Sequence, residues 1–159
     1  MVMGSAAALE IKSDAYGDGG NIPFRYAYNG ENISPSFEWK GTPQNTRSFA
    51  LVMDDPDAPK GTWVHWVIYD IPGTKNSLEE NIPKEKILPD GSKQGINDFS
   101  GIGYDGPSPP PGLAHRYVAT LYALDTELGA GPGLTKEELL KKIKKHVLDK
   151  ATFTGLFAQ

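Results

Sequence analysis

Apolar residues in this chain come in short runs separated by polar, Gly- and Pro-rich turns. The two longest runs flank one acidic loop, in SFALVMDDPDAPKGTWVHWVIYDIP, Ser48 to Pro72. Both runs are rich in β-branched and aromatic residues, which predicts buried strands. From Thr62 to Ile71 both alternate faces are apolar, Val64/Trp66/Ile68 on one and Trp63/His65/Val67/Tyr69 on the other. That pattern predicts a middle strand of a sheet covered on both sides. Leu9–Lys12 predicts a short first strand, and Phe24, Tyr26 and Tyr28 alternate as a strand with one aromatic face, closed by a hairpin turn at Asn29-Gly30. Ser36–Lys40 places Phe37 and Trp39 together, Arg116–Leu124 reads as a further core strand, and Ala151–Phe157 as the last.

One helix is expected, over Leu134–Leu148. Thr135 and Glu138 have capping-box spacing, Leu134 and Leu139 staple spacing, and Leu139, Leu140, Ile143 and Val147 form an apolar stripe. Two long segments carry no such period: Ile71–Leu88, and Ser92–Ala114 with its run GPSPPPG. A loop as long as the second is commonly functional. Six to eight strands with one late helix predict a β-sandwich with a C-terminal helix.

Length and composition narrow the class. The 159 residues suit one domain, with residues 1–8 expected as a flexible N-terminus. A net charge of -4 argues against a nucleic-acid partner, which needs a basic face. With no cysteine, disulfides, thiol catalysis and thiolate metal sites are excluded. The start has neither a basic segment nor a long apolar one, and no run reaches the length of a membrane span. The expectation is a cytoplasmic protein touching membranes peripherally at most.

Candidate chemistry centres on the acidic loop. Asp54, Asp55 and Asp57 stand within four residues, stiffened by Pro56 and Pro59. His65 follows in the aromatic strand, and His115 opens HRYVATLYAL where the Pro-rich loop meets a core strand, with Tyr117 on the same strand face. If the strands meet, Asp55, Asp57, His65 and His115 surround one pocket. Imidazoles and loop N–H groups donate to an anion and carboxylates accept from an ammonium, a set suited to a zwitterion such as phosphoethanolamine. The alternative is structural: the aspartates bond to their own loop and His65 is a satisfied core histidine. His146, near the expected helix C-terminus, has a structural role with the helix dipole. A metal site of two His and one Asp is disfavoured, because the histidines lie 50 positions apart without HxH or HExxH spacing. Gly101 to Gly106 spells GxGxxG, but the following prolines forbid the helix of a dinucleotide site. Ser108 lies outside any nucleophile-elbow motif.

DDPDAP, then WVHW, then GPSPPPGLAHRY resemble the phosphatidylethanolamine-binding protein (PEBP) family, in its bacterial and archaeal, Raf kinase inhibitor-like branch. DGGNIPFRYAYNGENISPSFEW and NDFSGIGYDGP extend the likeness over about Ile11 to Phe157. The resemblance implies a Greek-key β-sandwich with a small cavity that binds phosphate, a phosphoryl head group of a phospholipid or another small anion. Carried over by motif, its ligand-binding residues are Asp55, Pro56, Asp57, His65, Gly106, Pro107, Pro110, Pro111, His115 and Tyr117. Arg116, pointing to the opposite face, ties the strand to a carboxylate. Many prokaryotic members have Cys where this chain has Ser108, and the spacer Leu113-Ala114 is short. No cofactor, metal or enzymatic activity is expected, since no nucleophile stands with a base at a telling spacing. The likeness implies a possible homodimer. The kinase restraint of animal members does not transfer by fold alone, so that regulation of a kinase or protease partner is an expectation beside the binding role. The alternatives are a surface-contact kinase or protease inhibitor with an incidental pocket, and an acid–base hydrolase using a His–Asp pair.

Overall fold

The computed structural model describes residues 8–159. Of the expected flexible start, 1–7 lies outside the described residues, and Leu9 is already buried, its N–H donating to Asp149 Oδ2 at 3.0 Å. Within the described residues the architecture is mainly β, with two sheets and one short helix. The smaller sheet has the order β1 (Glu10–Lys12), β3 (Phe37–Lys40) and β6 (Ser77–Leu78). The larger has the order β2 (Gly20–Asn21), β9 (Val147–Phe157), β8 (His115–Leu124), β4 (Ser48–Asp55), β5 (Trp63–Pro72) and β7 (Lys93–Gln94).

One apolar cluster joins the sheets. Ile11, Phe37, Trp39 and Leu78 of the small sheet meet Phe49, Leu51, Met53, Trp66, Ile68 and Leu121 of the large one. Trp39 and Phe49 touch across the gap with ring centroids 5.1 Å apart. A second cluster covers the other face of the large sheet, where Ala50, Val52, Val64, Val67 and Tyr69 pack with Leu134, Leu139 and Ile143. This is why β4 and β5 lack polar alternation: both their faces are covered.

Helix α1 runs Lys136–Ile143, shorter than the expected 134–148. Thr135 is its N-cap, and the capping box with Glu138 is complete. Leu139 and Ile143 are buried, whereas Val147 is 36% exposed and opens β9. His146 follows the helix, with Nδ1 2.8 Å from Asp125 Oδ1. The strand expected at Phe24–Tyr28 is instead a 3-10 turn, Phe24–Tyr26, and Asn29-Gly30 closes no hairpin. Only Tyr26 of the three aromatics is buried; Phe24 and Tyr28 are 60% and 42% exposed, so no aromatic face exists for a sheet to cover.

The face assignment within β5 also differs from simple alternation. Met53 pairs with Trp66 and Asp54 with Val64, so His65 is the extra residue of a β-bulge. Val64 and Val67 therefore share the helix-covered face, and Trp66 and Ile68 the inter-sheet face. A bulge re-aims the side chain at its position, and here it turns His65 onto the ring of Tyr117 in the inter-sheet cluster.

Candidate functional site

At one end of the large sheet, four segments enclose a cavity of about 210 Å³. Its wall is built from Asp55, Ala58 and Pro59 after β4, Trp63 and His65 of β5, Phe99 with Ser108–Pro110 of the long loop, and His115 and Tyr117 of β8. A larger hollow, about 450 Å³, lies along β1, β3 and β6. Its charged groups are paired across strands, Lys12 with Glu38 and Lys40 with Glu10, on exposed side chains. Of the two, the smaller cavity combines buried titratable groups with shape.

The three carboxylates of DDPD have separate tasks. Asp54 turns to the helix side and holds Lys136 at 2.6 Å. Asp55, buried, accepts from Nδ1–H of His115 at 2.7 Å through Oδ2, and from its own loop at Asp57 N, 2.8 Å, through Oδ1. Asp57 accepts the Arg116 guanidinium in a two-pronged contact, Nε at 3.0 Å and Nη2 at 2.8 Å, and the Arg116 backbone N–H at 2.9 Å. These bonds hold the Asp57 carboxyl down at about 2.

His65 is fixed from the opposite side. Its Nδ1 lies 2.6 Å from the Asp105 carbonyl, and its ring is flanked edge-to-face by Tyr117 at 5.2 Å and Phe99 at 5.5 Å. A carbonyl only accepts, so Nδ1 carries the hydrogen. Burial pushes the His65 pKa down, against the pull of the Asp105 contact and of Asp55. Asp105 is itself held by Asn32, Asn97 and Lys84 at 2.8, 2.8 and 2.9 Å, which keeps its carboxyl below the ordinary range despite partial burial. Asn97 also bonds the backbone of Phe99, Gly101 and Gly103, so the loop over the cavity is internally tied. The Tyr117 hydroxyl is sealed, without a hydrogen-bond partner among the described residues; burial and nearby Asp55 push its pKa up.

The model of the family described as phosphatidylethanolamine-binding protein matches residues 12–158. The chain belongs to that family. It is 50% identical over 149 residues to a UPF0098 protein of Methanothermobacter thermautotrophicus, covering 94% of this chain and 98% of the relative. A UPF0098 protein of Aquifex aeolicus is 44% identical, with 95% and 89% covered. Among solved structures, a phosphatidylethanolamine-binding protein homologue of Chlamydia trachomatis superposes with TM-score 0.87 at 32% identity, covering 96% of this chain and 98% of that one. Escherichia coli YbcL, described as a member of the mammalian family, superposes with TM-score 0.89 at 29% identity, covering 96% and 99%.

Of the residues marked by motif, Asp55, His65, Pro110, His115 and Tyr117 stand on the cavity wall. Pro56, Asp57, Gly106, Pro107 and Pro111 do not. Asp57 ties the loop to β8 through Arg116, the strand-to-carboxylate tie expected of that arginine. Gly106 and Pro107 anchor the long loop on the segment after β2: Gly106 N–H donates to Asn32 Oδ1 at 2.7 Å, and Pro107 O accepts from Tyr28 N at 2.9 Å. Pro56 and Pro111 are exposed. Trp63, Phe99, Ser108 and Pro109 complete the wall without having been singled out as ligand contacts. Ser108 and Pro109 lie in the loop of about Gly106 to Gly112 that the resemblance implies as a cavity wall, whereas Trp63 and Phe99 were marked only by the aromatic strand and by the packing residues of the long loop. Asn97 and Asn32, which set the loop, gave no signal.

Proposed function

We propose that this chain is a binding protein for a small anion, a phosphate or phosphoryl head group of the phosphoethanolamine type. One observation carries the reading: two imidazoles share a cavity of about 210 Å³, each with Nδ1 committed to a protein acceptor. The Nε2 edge of each ring is what remains for a ligand. At about 210 Å³ the space falls below the roughly 300–1,000 Å³ of pockets for drug-sized ligands, which suits a head group better than an acyl chain. Asp55 already uses both oxygens within the protein, so it positions His115 and leaves the ammonium to the Trp63 and Phe99 rings, where a cation–π contact serves it. Regulation of a kinase or protease partner is supported by exposed apolar side chains, Trp63 of the cavity wall at 38% and Leu113 of the segment leading into β8 at 90%.

The test is an NMR titration with O-phosphorylethanolamine, following His65 and His115, with inorganic phosphate and ethanolamine as controls. Saturable shifts at both rings support the reading; no shift at either ring sinks it. A hydrolase is the second reading, favoured by the Asp55–His115 pair and by Ser108 on the same wall. No Ser108–His115 hydrogen bond is formed among the described residues, and turnover of a phosphate or carboxylate ester that is lost in His115→Ala is the result that would establish it.

A further inference from the structure

If the cavity holds a phosphoryl head group, the premise on which the selectivity inferred here rests, its two imidazoles meet that group unequally. His65 donates through Nδ1 to the Asp105 carbonyl, 2.6 Å away, and the residue is 2% exposed. In the neutral ring Nε2 is then a bare lone pair, able only to accept. Nε2 has no hydrogen bond among the described residues and, unlike the Tyr117 hydroxyl, is not sealed. Around this ring stand Asp105 of the long loop, Asp55 of β4, Tyr117 of β8 and Phe99, with His115 on the same cavity wall and Asp54 acting only at a distance from the helix side; burial outweighs the carboxylates and favours the neutral ring. His115 differs, because its Nδ1–H rests on the Asp55 carboxylate at 2.7 Å, which balances an imidazolium there when an anion binds.

We propose that the cavity selects singly protonated phosphomonoesters, with the P–OH donating to Nε2 of His65 and the anionic oxygens accepting from His115. A phosphodiester has no P–OH at neutral pH. Its anionic oxygen would meet the His65 lone pair head-on and leave that buried acceptor unpaired, the arrangement by which a polar site rejects an analogue. The ligand class is therefore a small phosphomonoester or inorganic phosphate, which share the P–OH, and not an intact diester phospholipid.

The experiment is calorimetry at pH 7.5 with O-phosphorylethanolamine, inorganic phosphate and sn-glycero-3-phosphoethanolamine, a diester with the same ammonium. Each titration is run in two buffers of different ionisation enthalpy. The monoester is expected to bind at least roughly tenfold tighter than the diester, the factor for one unpaired buried acceptor. With a second phosphate pKa near 6, the monoester arrives mainly as the dianion and takes up a proton that the diester does not, so its heat depends on the buffer more steeply than the diester's, where only His115 gains one. Inorganic phosphate binding as well as the monoester assigns recognition to the phosphoryl group itself. Equal or tighter diester binding, or a monoester buffer dependence no steeper than the diester's (none at all, where the diester does not bind), overturns the selection while leaving the head-group reading intact. Binding of none of the three overturns both.

Discussion

Asp55 and His115 lie 60 positions apart in the chain and 2.7 Å apart in the fold, carboxylate Oδ2 against ring Nδ1. The contact exists because β4 and β8 are antiparallel neighbours whose register runs to Asp54 opposite Val118, which brings the end of one strand beside the start of the other. A carboxylate on Nδ1 fixes the tautomer and the direction of Nε2. The cavity thus inherits the orientation of a functional group from strand register, with the Pro-stiffened loop holding the carboxylate still through its bond from Asp57 N.

Asp55→Asn tests that relationship. The amide keeps the volume and one acceptor but loses the charge that holds the ring. Hydrogen bonds to charged groups contribute about 1.5–3 kcal/mol, so affinity for O-phosphorylethanolamine should fall roughly tenfold or more. Calorimetry reads the loss, and circular dichroism confirms that the sheets remain. Unchanged affinity would mean that His115 is positioned by packing alone.

The Asp57–Arg116 fork predicts an acid-dependent stability. Asp57 titrates at about 2 in the folded chain against an ordinary 3.8, so the folded state holds fewer protons than the unfolded one between those values. The stability this contributes is complete above about pH 4 and is lost as pH falls through 2. In Arg116→Ala the side-chain bonds disappear while the backbone N–H to Asp57 stays. Carbon-detected NMR titration should then find Asp57 between 2 and 3.8, with a shallower loss of thermal stability on acidification. An Asp57 pKa that stays at about 2 would assign the whole depression to the backbone bond.

Gly106→Ala should damage the fold before the cavity. A Cβ at this position would stand 2.0 Å from the Tyr26 carbonyl oxygen and 3.0 Å from the backbone of Ala27. Overpacking typically costs about 1–3 kcal/mol, and here the obstacle is backbone that cannot rotate aside. The unfolding free energy from urea titration should drop by the upper part of that range, lowering the midpoint, with ligand affinity reduced only through the displaced loop. A midpoint equal to that of the unsubstituted protein would show that the loop can lift from the turn at Tyr26 at no cost.

The core strands were legible because burial on two faces leaves a continuous apolar run, as in Ser48–Asp55 and Trp63–Pro72. The capping box was legible because Thr135 and Glu138 act within one turn. The failures have a common cause in long-range partners. Phe24, Tyr26 and Tyr28 alternate like a strand, but no neighbour supplies a ladder, so the segment turns back on itself. Val64 changes faces because one extra residue at His65 resets the period, and no local pattern marks a bulge. At the cavity, residue type and motif picked out Asp55, His65 and His115, while the division of labour among Asp54, Asp55 and Asp57 depends on Lys136, His115 and Arg116, which the chain supplies 59 to 82 positions away.

Phe99 links cavity shape to the protonation of His65. Its ring stacks on Tyr28 at 4.7 Å and stands edge-on to Trp63 and His65 at 5.4 and 5.5 Å, closing one wall. Burial holds the His65 pKa below 6.5, so the folded chain binds fewer protons than the unfolded chain as pH drops below that value. Stability is therefore complete above about pH 6.5 and falls as pH falls towards the folded pKa. Phe99→Ala admits water to the ring, which should move the His65 pKa up towards 6.5 and flatten that slope. The substitution should cost roughly 1–3 kcal/mol at pH 8. The gap from the unsubstituted protein should narrow by pH 5, because the variant no longer loses the His65 contribution on the way down. Urea unfolding at the two pH values measures the gap, and the His65 ring resonances give the pKa directly. A gap that stays constant with pH, with an unmoved His65 pKa, would place the desolvation of His65 on Tyr117 and Asp105 and not on the aromatic wall.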